Sequence, residues 1–235
     1  MRPIPMTFKT RLIHAAAVAA LALPFALTPA AHAQESAPPG HADPFRDTSV
    51  IKLPAGQRAA IFEFEDLECP ACAHAAPIVY QAIEHYHIPF IRHDFPLQMH
   101  IWSRDAAITA RYLQDKVSPE LADQFRRDVF AHQISIASKD DLSNYTRQWF
   151  GAHHQQVPFV MDPAGRFAAE VQGDYTLGER LGVQHTPTIV VAGPHGWVEV
   201  NDVTQLYTTI DNVLAQSPAT PAPAHNMHKV SAPAK

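Results

Sequence analysis

The chain has 235 residues, 46% of them hydrophobic and 17% charged, and a formal charge of −5, which suffices for one domain with a sizeable core. Lys and Arg do not outnumber Asp and Glu, so nucleic acid is not an expected partner. Nine glycines without a phosphate-cradling loop leave nucleotide binding unsupported, and two cysteines exclude a disulfide-stapled scaffold.

Residues 1–33 carry Arg2, Lys9 and Arg11 with no acid, then an apolar run from Leu12 to Leu27, and end in Ala31-His32-Ala33. A basic end, an apolar middle and a small-residue site in that order read as a secretory signal peptide. The run, broken by Pro24, is short for a membrane span. Cleavage leaves a charge of −8 and implies a periplasmic or extracellular protein. Residues 34–44, polar and rich in Pro and Gly, read as a flexible leader, with the folded domain over 45–215.

Thr48 to Leu53 reads as a short edge strand, and Arg58 to Glu65 as a strand placing Ile61, Glu63 and Glu65 opposite Phe62 and Phe64. Ala73 to His87 has helical spacing with a kink expected at Pro77, and Ile88 to Phe95 reads as a second strand, parallel to the first. A helical insertion follows over about 101–180. Its pieces are Ser103 to Lys116, then Leu121 to His132 behind a Ser118-Pro119-Glu120 start, then Lys139 to Phe150. Pro163 to Leu181 gives one or two further helices, interrupted at Gly173 and Gly178. Thr188 to Ala192 and Trp197 to Val200 flank a Gly193-Pro194-His195-Gly196 hairpin turn, and Val203 to Leu214 returns to helix. The Ala- and Pro-rich tail, 216–235, is expected to be disordered. The fold class is α/β.

Both cysteines lie in Cys69-Pro70-Ala71-Cys72, at the junction of a strand and a helix. At a helix start they share one face, one turn apart, where a disulfide forms and breaks without backbone movement. Cys69 at the N-terminal end gains from free N–H groups and the helix dipole, which favour a thiolate, and Cys72 is the shielded partner. Pro70 suits the first turn. Attachment of c-type haem needs His after the second cysteine, where Ala73 stands, and structural zinc lacks a second Cys pair, so no cofactor or metal is expected. A purely structural local disulfide is the plainer alternative.

Glu63, six residues before Cys69, lies in an apolar strand where a carboxylate is costly to bury without a job. Burial would raise its pKa and suit it to exchange a proton with Cys72. The competing reading puts Ile61, Glu63 and Glu65 on the solvent face of an edge strand. Glu65, Asp66 and Glu68 read as a solvated acidic rim. In His185-Thr186-Pro187-Thr188, a proline at a strand start is a candidate cis-proline that would present the backbone of Thr186 to an extended substrate.

Taken together, FEFEDLECPAC, then DFPLQMH leading into helices, then GVQHTPTIVV resemble the DsbA-like branch of the thioredoxin superfamily, over about Ala59 to Leu214. The resemblance implies a thioredoxin-like fold with an inserted helical subdomain. It makes Cys69 the nucleophile or attacked sulfur, Cys72 the resolving thiol, Glu63 the buried acid, and Pro187 the cis-proline preceded by Thr186. Pro70, Ala71 and Thr186 fall where substrate would lie. His100 matches a position often His in such proteins and reads as a packing residue at a helix start. Ala71 replaces the histidine found between the cysteines of the best-known DsbA oxidants, which weakens the case for strong oxidising power.

The expected function is donation of the Cys69–Cys72 disulfide to cysteines of exported proteins, by a monomer reoxidised by a membrane partner. A reductase or isomerase with the same dithiol is the alternative. A metal-handling protein is a third reading, on the 13 histidines left after cleavage and on His225, Met227 and His228 in the tail.

Overall fold

The computed structural model describes residues 45–217. The expected signal peptide, leader and almost all of the tail lie outside them.

Four strands form one sheet in the order β2-β1-β3-β4: β1 Ala60–Glu65, β2 Phe90–Asp94, β3 Thr188–Gly193 and β4 Gly196–Glu199. β1 runs parallel to β2, pairing Glu63 with Arg92, and antiparallel to β3, pairing Glu63 with Ile189. β3 turns back into β4 through the expected hairpin. β1 is therefore an inner strand, and all six of its residues are buried, which overturns the reading of Glu63 and Glu65 as solvent-facing on an edge.

Alternation along β1 sends its two faces into different cores. Ile61, with Ile189 and Val191, packs under α1 (Pro70–Tyr86) through Ala75, Val79 and Ala82, and under α6 (Leu206–Gln216) through Leu206, Ile210 and Val213. Phe62 and Phe64 face Phe95, Leu181 and Val183. A third core lies within the insertion, where α2 (Ser103–Lys116), α3 (Pro119–His132) and α4 (Lys139–Ala152) enclose Trp102, Phe125 and Phe150. Leu67, Cys69 and Cys72 belong to that third core, so the dithiol lies where the insertion meets the sheet domain.

Two expectations about elements need correction. The first concerns Thr48 to Leu53, which is no strand: Thr48–Val50 is a 3-10 turn whose start is capped by Asp47, which accepts from Ser49 N at 3.1 Å. Arg46 N donates to Leu181 O at 2.7 Å, so this segment is stitched to the end of a helix. The second concerns 163–181, where one unbroken helix, α5 Arg166–Leu181, runs through both glycines. Gly178 serves close packing there, since a Cβ on it would come within 2.5 Å of the Phe95 ring. The helix stops at Gly182, whose φ of 95° suits glycine. α1 holds Pro77 within its span.

Candidate active site

β1 ends at Glu65, and the loop Asp66–Glu68 delivers Cys69 to the N-cap of α1, with Pro70 in the first turn. The geometry follows from the sequence: the N-cap has extended backbone, and proline can occupy the next position because no helical acceptor awaits its missing N–H. Both cysteines are free thiols, Cys69 6% exposed and Cys72 fully buried. Pro70 is exposed and Ala71 partly so.

The two sulfurs differ in environment. A hydrogen bond from Cys72 favours a thiolate on Cys69; despite burial and the nearby Asp66, the Thr186 side chain and the Cys72 backbone N–H add to it, and the pKa falls to about 6. Burial pushes Cys72 the other way, well above its ordinary value, and the charges of Cys69 and Glu63 act in the same sense. One thiol is thus poised to carry charge and its partner to keep its proton.

Thr186 closes the site from the far side of the sequence. Its peptide bond to Pro187 is cis, and the Cys69 thiol donates to Thr186 O at 3.3 Å. Thr186 Oγ1 is buried beside that thiol. Leu67 is buried in the third core.

Glu63 is 3% exposed and faces α1 from the sheet. Burial, reinforced by the charge of Glu65 and opposed by Arg92, raises its pKa to about 8. Among the described residues no ion pair reaches it: Arg92 sits instead on Glu65 and Asp123, at 3.0 and 2.9 Å. A carboxyl that keeps its proton near neutrality thus lies close enough to Cys72 to influence it electrostatically.

The acidic rim is a correction. Glu65 and Asp66 are 3% and 1% exposed. Glu65 pairs with Arg92 and with the buried Arg126 of α3. Glu68 Oε2 accepts from Trp102 N at 2.6 Å and Ser103 N at 2.9 Å, capping α2. Asp66 accepts from Leu97 N at 2.6 Å, Glu68 N at 2.8 Å and His100 Nδ1 at 2.7 Å. His100 is accordingly more than a packing residue. Gln133, not singled out in the sequence, donates to Leu67 O at 2.8 Å and Cys69 O at 3.1 Å, tying the insertion to the active-site loop. The only sequence hint of these roles was the presence of acids beside a cysteine motif.

Among the described residues, no group of three or more His, Cys, Asp and Glu side chains could hold a metal ion. His225, Met227 and His228 lie outside the described residues.

Comparison with known proteins bears on fold and family. No curated protein matches the chain. The catalytic domain of Proteus mirabilis ScsC matches over 70% of this chain and 88% of its own, at 16% identity and TM-score 0.53. Wolbachia pipientis alpha-DsbA1 matches over 72% and 96%, at 16% identity and TM-score 0.57, and oxidised Bacillus subtilis BdbD over 69% and 91%, at 19% and 0.56. At such identities these likenesses speak to fold. A family model described as thioredoxin matches residues 56–212, a span that runs from β1 through the dithiol and the insertion to α6, and the chain belongs to that thioredoxin family.

Proposed function

We propose that the protein is an exported thiol-disulfide oxidoreductase that donates the Cys69–Cys72 disulfide to cysteines of other exported proteins. The observation that carries this reading is the asymmetry of the dithiol: Cys69 at a helix N-terminus with its pKa lowered to about 6, beside a fully buried Cys72. Stabilising the Cys69 thiolate stabilises the reduced form, which makes the disulfide a better oxidant. The order of residues 1–33 supports export.

A substrate thiolate attacks Cys69 Sγ, the Cys69–Cys72 bond breaks, and Cys72 leaves with the electron pair and takes a proton from Glu63. A second substrate thiolate then attacks the substrate sulfur of the mixed disulfide and expels Cys69 as a thiolate. Two electrons pass from the two substrate thiols to the dithiol, and the substrate leaves with a disulfide. Substrate backbone has the turn at Pro70 and Ala71 and the Thr186–Pro187 segment to lie against. A membrane redox partner removes the two electrons in the next cycle.

Replacing Cys69 by Ser is expected to abolish exchange with a peptide dithiol, and retained exchange would overturn the scheme. Direction is read from the equilibrium reduction potential. A value near about −120 mV marks a donor of disulfides, and one near about −270 mV a reductant, the alternative that Ala71 and the nearby Asp66 favour.

A further inference from the structure

We propose that Asp66 and His100 form a proton-responsive positioning pair for the dithiol, in which Asp66 fixes both cysteines through its backbone and His100 cancels the charge that Asp66 turns on Cys69. The purpose of the pair rests on the oxidoreductase reading. Its geometry does not.

Asp66 is joined to both cysteines. Its N–H donates to Cys72 Sγ at 3.4 Å and its C=O accepts from Cys69 N at 3.1 Å. Its side chain is fully buried and held by three donors, of which only His100 can change charge. A carboxylate so close to a sulfur that must become a thiolate opposes that ionisation, and Asp66 does raise the Cys69 pKa. The sequence offers no histidine between the cysteines, where Ala71 stands, but the loop after β2 brings in His100 from 34 residues beyond Asp66.

The charged groups around His100 leave its role defined. From the β1–α1 loop it faces Asp66, Glu68 and Cys69; the hydrogen bond to Asp66 raises its pKa against the effect of burial, and the charges of all three add to the rise. Arg104 of α2, Lys139 of α4 and Tyr175 of α5 line a cavity of about 360 Å³ with it. Arg104 is bonded to Gln172, Lys139 is paired with Asp105, and Tyr175 is stacked on Phe95. His100 is thus the group that adjusts the net charge beside Cys69. Protonated, it makes the pair neutral and the thiolate is favoured; as pH rises through its pKa the pair becomes anionic and the thiolate loses that support.

The first test is iodoacetamide alkylation of the reduced protein at pH 5. H100Q, which keeps a donor for Asp66, is expected to react about fivefold more slowly than the parent, and D66N about twofold faster, because removing the cation and removing the anion act oppositely on the thiolate. A structural role would move both variants the same way, and that outcome, or no change in either, overturns the proposal. The second test needs no variant: the imidazole of His100 is titrated by NMR in both redox states. Linkage requires a lower His100 pKa in the disulfide form, which lacks the thiolate, and identical titrations overturn the proposal. Neither readout requires substrate, so coupling that persists while Cys69→Ser retains exchange would refute the oxidoreductase reading and leave the pair standing.

Discussion

Glu63 is buried and, among the described residues, in no ion pair, and its pKa of about 8 against an ordinary 4.5 records the cost of ionising it there. Between those two values the folded protein binds the proton more tightly than the unfolded chain, so this group lowers stability as pH rises through the window. Glu63→Gln is therefore expected to match the parent below about pH 4.5 and to exceed it by on the order of 5 kcal/mol above pH 8, measured by urea unfolding at a series of pH values. The same variant should slow closure of the Cys69–Cys72 disulfide from a mixed disulfide by tenfold or more, roughly the loss expected when a general base is removed. Parallel stability curves would mean that Glu63 ionises freely in the folded state. The residue was legible in the sequence because a carboxylate in the middle of an apolar strand conflicts with its surroundings. Glu65, Asp66 and Glu68 were not: each is satisfied by a donor at least 27 positions away or by the loop itself, and spacing along a chain carries no trace of such partners.

At the scale of elements, α2 begins without a side-chain cap of its own, since Trp102 occupies the N-cap. The carboxylate of Glu68 supplies what Ser or Asp would supply locally, and it also brings a negative charge to the helix N-terminus. Glu68→Ala is expected to cost about 1–2 kcal/mol by leaving two donors unmet, seen as a lower urea midpoint at unchanged slope, with Glu68→Gln recovering about half. A loss within about 0.3 kcal/mol would show that solvent meets those donors equally well. Capping within the insertion was easier to read. Ser118 accepts from Leu121 N and Ser138 from Asp141 N, both at 3.1 Å and both local; the first was read from Ser118-Pro119-Glu120, while the distant cap of α2 was invisible. The strands β1 and β3 were legible through their aromatic and β-branched runs. The segment around the 3-10 turn at Thr48–Val50 was misread because Val50, Ile51 and Leu53 pack into the core with Phe62, Phe64 and Leu181, a tertiary demand that imitates strand alternation.

Over the whole molecule, the insertion is bound to the sheet by buried charge as much as by apolar packing. Arg126 of α3 reaches Glu65 of β1 at 2.9 Å and Asp94 of β2 at 2.6 Å. Arg111 of α2 meets Asp94 at 2.6 Å and also Asp174 of α5. Asp174 in turn accepts from Asp94 N at 3.0 Å and contacts His93 at the same distance. Burial would push Asp94 up, but Arg126 and Arg111 outweigh it and hold the carboxyl at about 2. A carboxyl depressed in this way contributes stability that is present above its unfolded value of 3.8 and lost as pH falls through about 2. Arg126→Met fills the space without the charge and leaves the buried Glu65 and Asp94 with one arginine each, Arg92 and Arg111, at a cost of about 3 kcal/mol near neutrality. Its acid-unfolding midpoint should also lie above that of the parent, because Asp94 no longer resists protonation to the same degree. Both are read from circular dichroism across pH and urea. If instead Arg126→Met matches the parent near neutrality, the apolar contacts of Trp102, Phe125 and Phe150 hold the insertion in place. The ions would then tune Glu63, through Glu65 and Arg92, more than they hold the fold.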